Sequence, residues 1–252
     1  MIVQRFLNEY KKNNIEFKYF RHDLNKGVSS NLIWSLKKSL GKYIAFCEGD
    51  DYWLNDDKIQ SQFNFLESNP SIKLHCSSFK LVKPNGYEEI INHGLNHQIK
   101  FNLNFLKKKW ITKFVTVMIK KSSIDFKEIE GYNNLRDIQL FYTVLKNGDG
   151  FYSTDINASY NLHGNGLHSS NIGLKNLLIA REIYQELYSK NKDEFSRFSL
   201  VRINLNIISY SLYNFNFSLL SPNLLKQSLI LISLKKDFSS IVKSVYPKFF
   251  KK

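Results

Sequence analysis

Cysteine is scarce in this chain: Cys47 and Cys76 are the two among 252 residues. Neither has the spacing of a zinc or redox motif. Both lie in apolar runs, so two buried strand thiols in a reducing compartment are expected. A signal peptide is missing from the start, because Met1 to Lys12 carries Arg5, Glu9, Lys11 and Lys12 and lacks an apolar core. No run reaches the roughly 20 apolar residues that span a bilayer. Leu229 to Ile232, the longest candidate, is far too short. Internal repeats are not evident. Acidic residues are in deficit, 22 against 36 Lys and Arg, for a net charge of +14. These absences argue against a disulfide scaffold and an integral membrane protein. They leave a cytoplasmic protein that can touch the inner face of a membrane.

What is present is globular. The hydrophobic fraction is 43%, enough for a substantial core at this length. Of the excess positive charge, +8 falls in residues 171–252, where thirteen Lys and Arg meet five Asp and Glu. An anionic partner is expected, with the tail as a surface for it. No nucleic-acid reading motif accompanies the charge, so nucleic acid is not the expected partner.

Periodicity predicts the elements in order. A helix covers Ile2 to Lys12, and Ile15, Phe17 and Tyr19 alternate as a strand. Asn25-Lys26-Gly27 makes a turn, Ser29 or Ser30 caps a helix through Leu40, and residues 42–47 form a strand. Strand, helix and strand imply a parallel βαβ unit. Asn55 or Asp56 caps a helix from about Asp57 to Ser68, followed by a strand through Ile72, Leu74 and Cys76. Pro84-Asn85-Gly86 joins a hairpin of residues 79–83 and 87–91. Residues 92–104 read as a polar loop carrying His93 and His97, and Phe114 to Ile119 as a strand. Arg136-Asp137 opens a helix, residues 151–160 form a strand, and helices follow at 177–188, 195–217 and from Ser221-Pro222.

The densest chemistry lies in Lys42-Tyr43-Ile44-Ala45-Phe46-Cys47 followed by Glu48-Gly49-Asp50-Asp51-Tyr52-Trp53. A buried strand delivers three carboxylates within four residues, and like charges so close repel unless a cation sits among them. Mg²⁺ and Mn²⁺ take oxygen ligands and share them between carboxylates and substrate phosphates. A metal–diphosphate site at a strand end is one reading. An acidic turn that caps the next helix is the other.

Asn25-x-Gly27…Asn31, then Gly41 to Trp53, then Lys58-Ile59-Gln60…Gln62, resembles the family 2 glycosyltransferases, in the bacterial branch whose strand ends Glu-Gly-Asp-Asp-Tyr-Trp. The resemblance covers about residues 15–70 closely and continues more weakly to His163. It implies a GT-A-like (Rossmann-like) α/β fold, a mixed sheet flanked by helices, over residues 1–168. Residues 169–252 follow as a basic, mainly helical C-terminal region. It also implies transfer of a sugar from a nucleoside-diphosphate-sugar donor to a glycan or lipid-linked acceptor. On the family's motif positions, Glu48 and Asp50 hold a divalent Mn or Mg. Asp51, Asn25, Gly27, Asn31 and His163 serve the nucleotide sugar, and Asp137 is the catalytic base. Two departures stand out: Arg136 replaces the family's acidic or glycine partner of the base, and Asn161 stands where an arginine is usual.

The family's opening strand, Thr-Tyr-Asn turn, helix and second strand ending Asp-Asp-x-Ser, which hold base and ribose, have no counterpart in this sequence. Either Met1 is not the true start, or the chain is a remnant, or another chain completes the site. The resemblance implies an inverting, metal-dependent enzyme of bacterial surface polysaccharide synthesis (lipopolysaccharide, capsule or glycoprotein). The alternative is a truncated, non-catalytic remnant that acts as a binding or scaffolding partner.

Overall fold

The computed structural model describes residues 15–163 and 173–213, together with Arg5, Leu224 and Lys226. Its strands are β1 (Tyr43–Ala45), β2 (Tyr52–Trp53), β3 (Ile72–Val82), β4 (Glu88–Ile91), β5 (Ile99–Phe101), β6 (Met118–Lys120) and β7 (Asp149–Asn161). They join in one curled, mixed sheet with the path β1-β6-β3-β7-β2, with β4 added beside β3 and β5 beside β7. Among the described strands β3 and β7 run parallel, and the other pairings are antiparallel. The helices are α1 (Gly27–Lys38), α2 (Lys58–Ser68), α3 (Leu103–Leu106), α4 (Phe126–Glu130), α5 (Asp137–Lys146), α6 (Leu174–Asn191) and α7 (Glu194–Tyr213).

Side-chain alternation sorts the sheet's two faces. Ile119 of β6 and Leu74 and Cys76 of β3 enter the main core with Leu140, Phe141 and Val144 of α5. Tyr184 and Leu187 of α6 and Phe195, Phe198 and Val201 of α7 belong to the same core. The opposite face packs α2 through Leu66 against Met118 and Ile72. Ile72 and Leu74, two positions apart, thus face different layers, because the β3–β7 register shifts between them. Each such fully buried aliphatic side chain contributes about 1.5–3 kcal/mol.

Two further details shape the sheet. The expected 79–83/87–91 hairpin forms, with Phe79 opposite Ile91 and Val82 opposite Glu88. The polar stretch 92–104 holds more structure than a loop, namely β5 and α3. There Phe101 lies across from Gly150, where a Cβ would meet its ring at 2.3 Å. Only glycine lets that ring lie on the β7 backbone.

The expected strand Ile15–Tyr19 does not form. These residues are unpaired coil, with Ile15 52%, Phe17 40% and Tyr19 43% exposed. The segment leads to α1 instead, where Phe20 and His22 set their edges against the Trp34 ring at 4.9 and 4.6 Å. Alternation supplies a face, but a strand also needs a neighbour for its backbone hydrogen bonds. The parallel βαβ unit is corrected accordingly: β1 pairs antiparallel with β6 and, among the described strands, forms the sheet's edge. The predicted strand at 114–119 is also shorter. Phe114–Thr116 forms a 3₁₀ turn, and β6 starts at Met118. The expected helix at Ile2–Lys12, apart from Arg5, and the helix expected from Ser221, apart from Leu224 and Lys226, lie outside the described residues.

Candidate functional site at the end of β1

The chain leaves β1 at Ala45 and turns, with the Asp51 amide donating to the Glu48 carbonyl at 3.0 Å. It then enters β2, which pairs with β7 through Tyr52 and Ser159. One short turn therefore spans from β1 near one side of the sheet to β2 at the other, and carries Glu48, Asp50 and Asp51. Cys47, expected in a buried strand, lies beyond β1 and is exposed. Its thiol donates to the Asp51 carbonyl at 3.5 Å. Cys76 is fully buried in β3, as expected.

Asn161, at the end of β7, braces the acids twice. Its amide N donates to Asp51 Oδ1 at 2.9 Å and its Nδ2 to the Asp50 carbonyl at 2.6 Å. His163 Nε2 meets Asp50 Oδ2 at 2.5 Å. The second Asp51 oxygen, Oδ2, is buried and has no hydrogen-bond partner. Burial pushes the Asp51 carboxyl up from its usual range, with a further rise from Asp50, against the Asn161 amide, Lys113 and His163. Glu48 keeps solvent contact, yet the protein crowded around its carboxyl raises it to about 7. Asp51, Asp50 and Asp137 add to the rise and Lys113 opposes it. A turn that holds anions this uncomfortably is suited to a cation. The donors are hard oxygens, and the orphaned Asp51 Oδ2 fits a divalent ion of the Mg²⁺ or Mn²⁺ kind. Among the described residues no three side chains converge as a ready-made metal cage. Such ions complete their shell with substrate phosphates and water.

Asp137 is the first residue of α5. Its Oδ1 accepts from the Ile138 amide at 2.9 Å, and the Arg136 amide donates to Gln139 Oε1 at 2.8 Å. The helix N-terminus favours its negative charge. Its charge adds to the rise at Glu48, 89 positions away in sequence. Asn25, Gly27 and Asn31 lie at the start of α1. The Gly27 amide donates to Asn25 Oδ1 at 2.8 Å, an Asx turn that needs the glycine's φ of +73°. Among the described residues no hydrogen bond or ion pair joins these three to Glu48, Asp50 or Asp51. They approach the site through Ser29, whose hydroxyl donates to the Leu135 carbonyl at 3.2 Å, just before Asp137.

Beneath the turn, Lys58 Nζ is fully buried and donates to Gln62 Oε1 at 2.7 Å. Gln62 Nε2 donates to the Thr116 carbonyl at 2.9 Å and faces His75 Nδ1 at 3.0 Å. His75 therefore accepts and is neutral, in keeping with burial that drives it down to about 4. The Lys58 ammonium also lies 4.9 Å from the Trp53 ring. Trp53 is pinned in turn by bonds from its Nε1 to the Phe46 and Val115 carbonyls at 3.3 and 3.2 Å. This network fixes α2, β3 and the 114–116 turn against the acidic turn.

Comparison with known proteins follows the same stretch. Residues 3–123 match the glycosyl transferase family 2 model. The family 2 match takes in α1, the acidic turn, α2, β3 and β6, and ends before Asp137 and His163. An uncharacterized glycosyltransferase of Rickettsia conorii is 37% identical over 84 residues, which are 33% of this chain and 14% of that protein. One of Rickettsia bellii is 36% identical over 88 residues, 35% of this chain and 12% of the relative. An uncharacterized protein of Mycobacterium bovis is 28% identical over 86 residues, 34% of this chain and 25% of its own length. The chain thus aligns with a quarter or less of each of these relatives. These matches make residues 3–123 similar to family 2 glycosyltransferases, and the mixed α/β architecture is GT-A-like.

Lys113 is the member of the site that sequence reading missed. It lies just before the 114–116 turn, and its charge acts on Glu48 and Asp51 alike. Nothing in its neighbourhood in sequence marks it. It arrives through the fold, on the turn that precedes β6.

Proposed function

We propose that the chain transfers a sugar from a nucleoside-diphosphate-sugar donor to an acceptor hydroxyl with inversion at the anomeric carbon. The observation that carries this reading is the turn after β1: three carboxylates, one with a buried unpartnered oxygen, within the field of Asp137. In this reading Glu48 and Asp50 hold Mn²⁺ or Mg²⁺, with Asp51 beside them. The ion supplies Lewis-acid neutralisation of the departing diphosphate. Asp137 takes the acceptor's proton as the new C–O bond forms and the bond to phosphate breaks. His163 positions Asp50 beside the donor, and the Asn25–Gly27 turn with Asn31 serves the nucleotide side.

The direct test is calorimetric binding of UDP, GDP, CDP, ADP and dTDP with Mn²⁺. Wild type is expected to bind one of them, and Asp50→Asn to weaken that binding at least about 100-fold, since a charged ligand to the ion is lost. Absence of binding at millimolar nucleotide would sink the reading for this chain. It would favour the second one, a non-catalytic binding or scaffolding partner, which draws on β1 having an unpaired edge among the described strands.

We read residues 1–168 as the partial catalytic unit and 169–252 as a basic helical C-terminal region, of which α6 and α7 pack into the same core. Bacterial surface polysaccharide is the proposed product, with a glycan or lipid-linked acceptor. No described helix is long and apolar enough to cross a membrane. The +8 carried by residues 171–252 suits an anionic surface on the cytoplasmic side instead. Vesicle sedimentation should show binding that rises with anionic lipid and falls steeply between low and high salt. Equal binding to neutral vesicles would remove this part.

A further inference from the structure

We propose that Lys113 is the protein's own phosphate-binding cation, holding the diphosphate against the acids at the end of β1. This rests on the donor reading above and goes beyond it by assigning a residue that neither the motif nor its spacing marks. The backbone of Lys113 is fixed, because the Thr116 amide and hydroxyl both donate to its carbonyl, at 2.9 and 2.8 Å. The turn it introduces is tied to the acidic segment by the Trp53 bond to the Val115 carbonyl. Its ammonium lies 3.8 Å from the centroid of the Tyr160 ring. The next residue, Asn161, is the one that braces Asp50 and Asp51.

A ring face occupies one side of an ammonium and leaves N–H donors for another ligand. The charge therefore rests on an aromatic plane with donors to spare, over the residue next to Asn161. Charge balance gives it a task. One divalent ion leaves the sum of a diphosphate and two carboxylates negative, so a phosphate docked there needs a further cation. Lys113 rests on the ring of Tyr160, one residue before the asparagine that holds both aspartates, and that is where the surplus falls.

A phosphate-binding cation among metal-binding acids makes a prediction of opposite signs. Without substrate it repels the ion, and with substrate it attracts the phosphates. Calorimetry with Mn²⁺ alone, and then with the nucleoside diphosphate that wild type binds best, separates the two. Lys113→Ala is expected to bind Mn²⁺ alone as tightly as wild type or several-fold tighter. It is expected to bind the diphosphate in Mn²⁺ roughly tenfold or more weakly, and Lys113→Arg to recover most of the loss. A lysine with a merely structural role would weaken both steps together, and that result overturns the proposal. So does diphosphate binding unchanged in Lys113→Ala. If wild type binds no diphosphate at all, the donor reading falls first and this inference with it.

Discussion

Asp137→Asn is expected to lower the rate of sugar transfer by roughly 10²–10⁴-fold, while nucleoside-diphosphate affinity in Mn²⁺ stays within a factor of a few. Asparagine keeps the size of the side chain, and its amide oxygen can still accept from the Ile138 amide at the head of α5. What it loses is the ability to take a proton. The split between rate and affinity follows from the electrostatics. Asp137 is one of the groups that push the Glu48 carboxyl up toward 7, so its neutralisation eases Glu48 back toward the ordinary range. Ion binding by Glu48 is therefore helped by the substitution. The measurement is single-turnover transfer from the nucleotide sugar whose diphosphate binds best, beside calorimetry on the same variant. An unchanged transfer rate would remove Asp137 as the base. Equal losses in rate and affinity would make it a structural cap.

The second large effect lies beneath the site. Gln62→Ala is expected to destabilise the protein by about 3–5 kcal/mol at pH 7, because it leaves the fully buried Lys58 ammonium without its oxygen partner. It also removes the donor to the Thr116 carbonyl and to His75. Burial holds Lys58 down to about 8, with Cys47 opposing. The sign follows: between pH 8 and the unfolded value near 10.5, the unfolded chain binds the proton and the native one releases it. Stability from this group therefore rises with pH across that window, by roughly 3 kcal/mol at most. Below pH 8 both states are charged and the native state bears the full cost. Urea unfolding of Gln62→Ala at pH 7 and pH 10 should show the larger loss at pH 7. A loss below about 1 kcal/mol at pH 7 would mean that water replaces the glutamine.

The acidic turn, α2, the β3–β4 hairpin and the head of α5 could all be read from the chain, for local reasons. Each is announced by a run of periodic apolar residues beside a turn or capping residue, and neighbours in sequence decide its geometry. The errors fall where geometry depends on residues far away. Ile15–Tyr19 has a strand's alternation, yet whether it pairs depends on a neighbouring edge. Cys47 sits in an apolar run, but β1 ends two residues before it because β6 offers three residues of pairing. The stretch 92–104 read as loop because its composition is polar, while the bare backbone at Gly150 draws Phe101 into β5. Within the site, Glu48, Asp50 and Asp51 were legible as a cluster, whereas Asn161 and Lys113 were not. Asn161 was noticed for the arginine it replaces. Its place at the end of β7, holding two aspartates, is a fact of the sheet.

The parallel pairing of β3 with β7 bears on how the molecule assembles. Partners such as Ile72 and Asp149, or Val82 and Asn161, are more than seventy positions apart, so closing this central pair costs chain entropy before any contact repays it. The β3–β4 hairpin, whose partners are six to twelve or so positions apart, can form long before. Assembly is then expected to run from the hairpin and α5 inward, with β7 docking late. The acids at the end of β1 are braced by Asn161 at the last residue of β7, so the site becomes ordered only once β7 has docked.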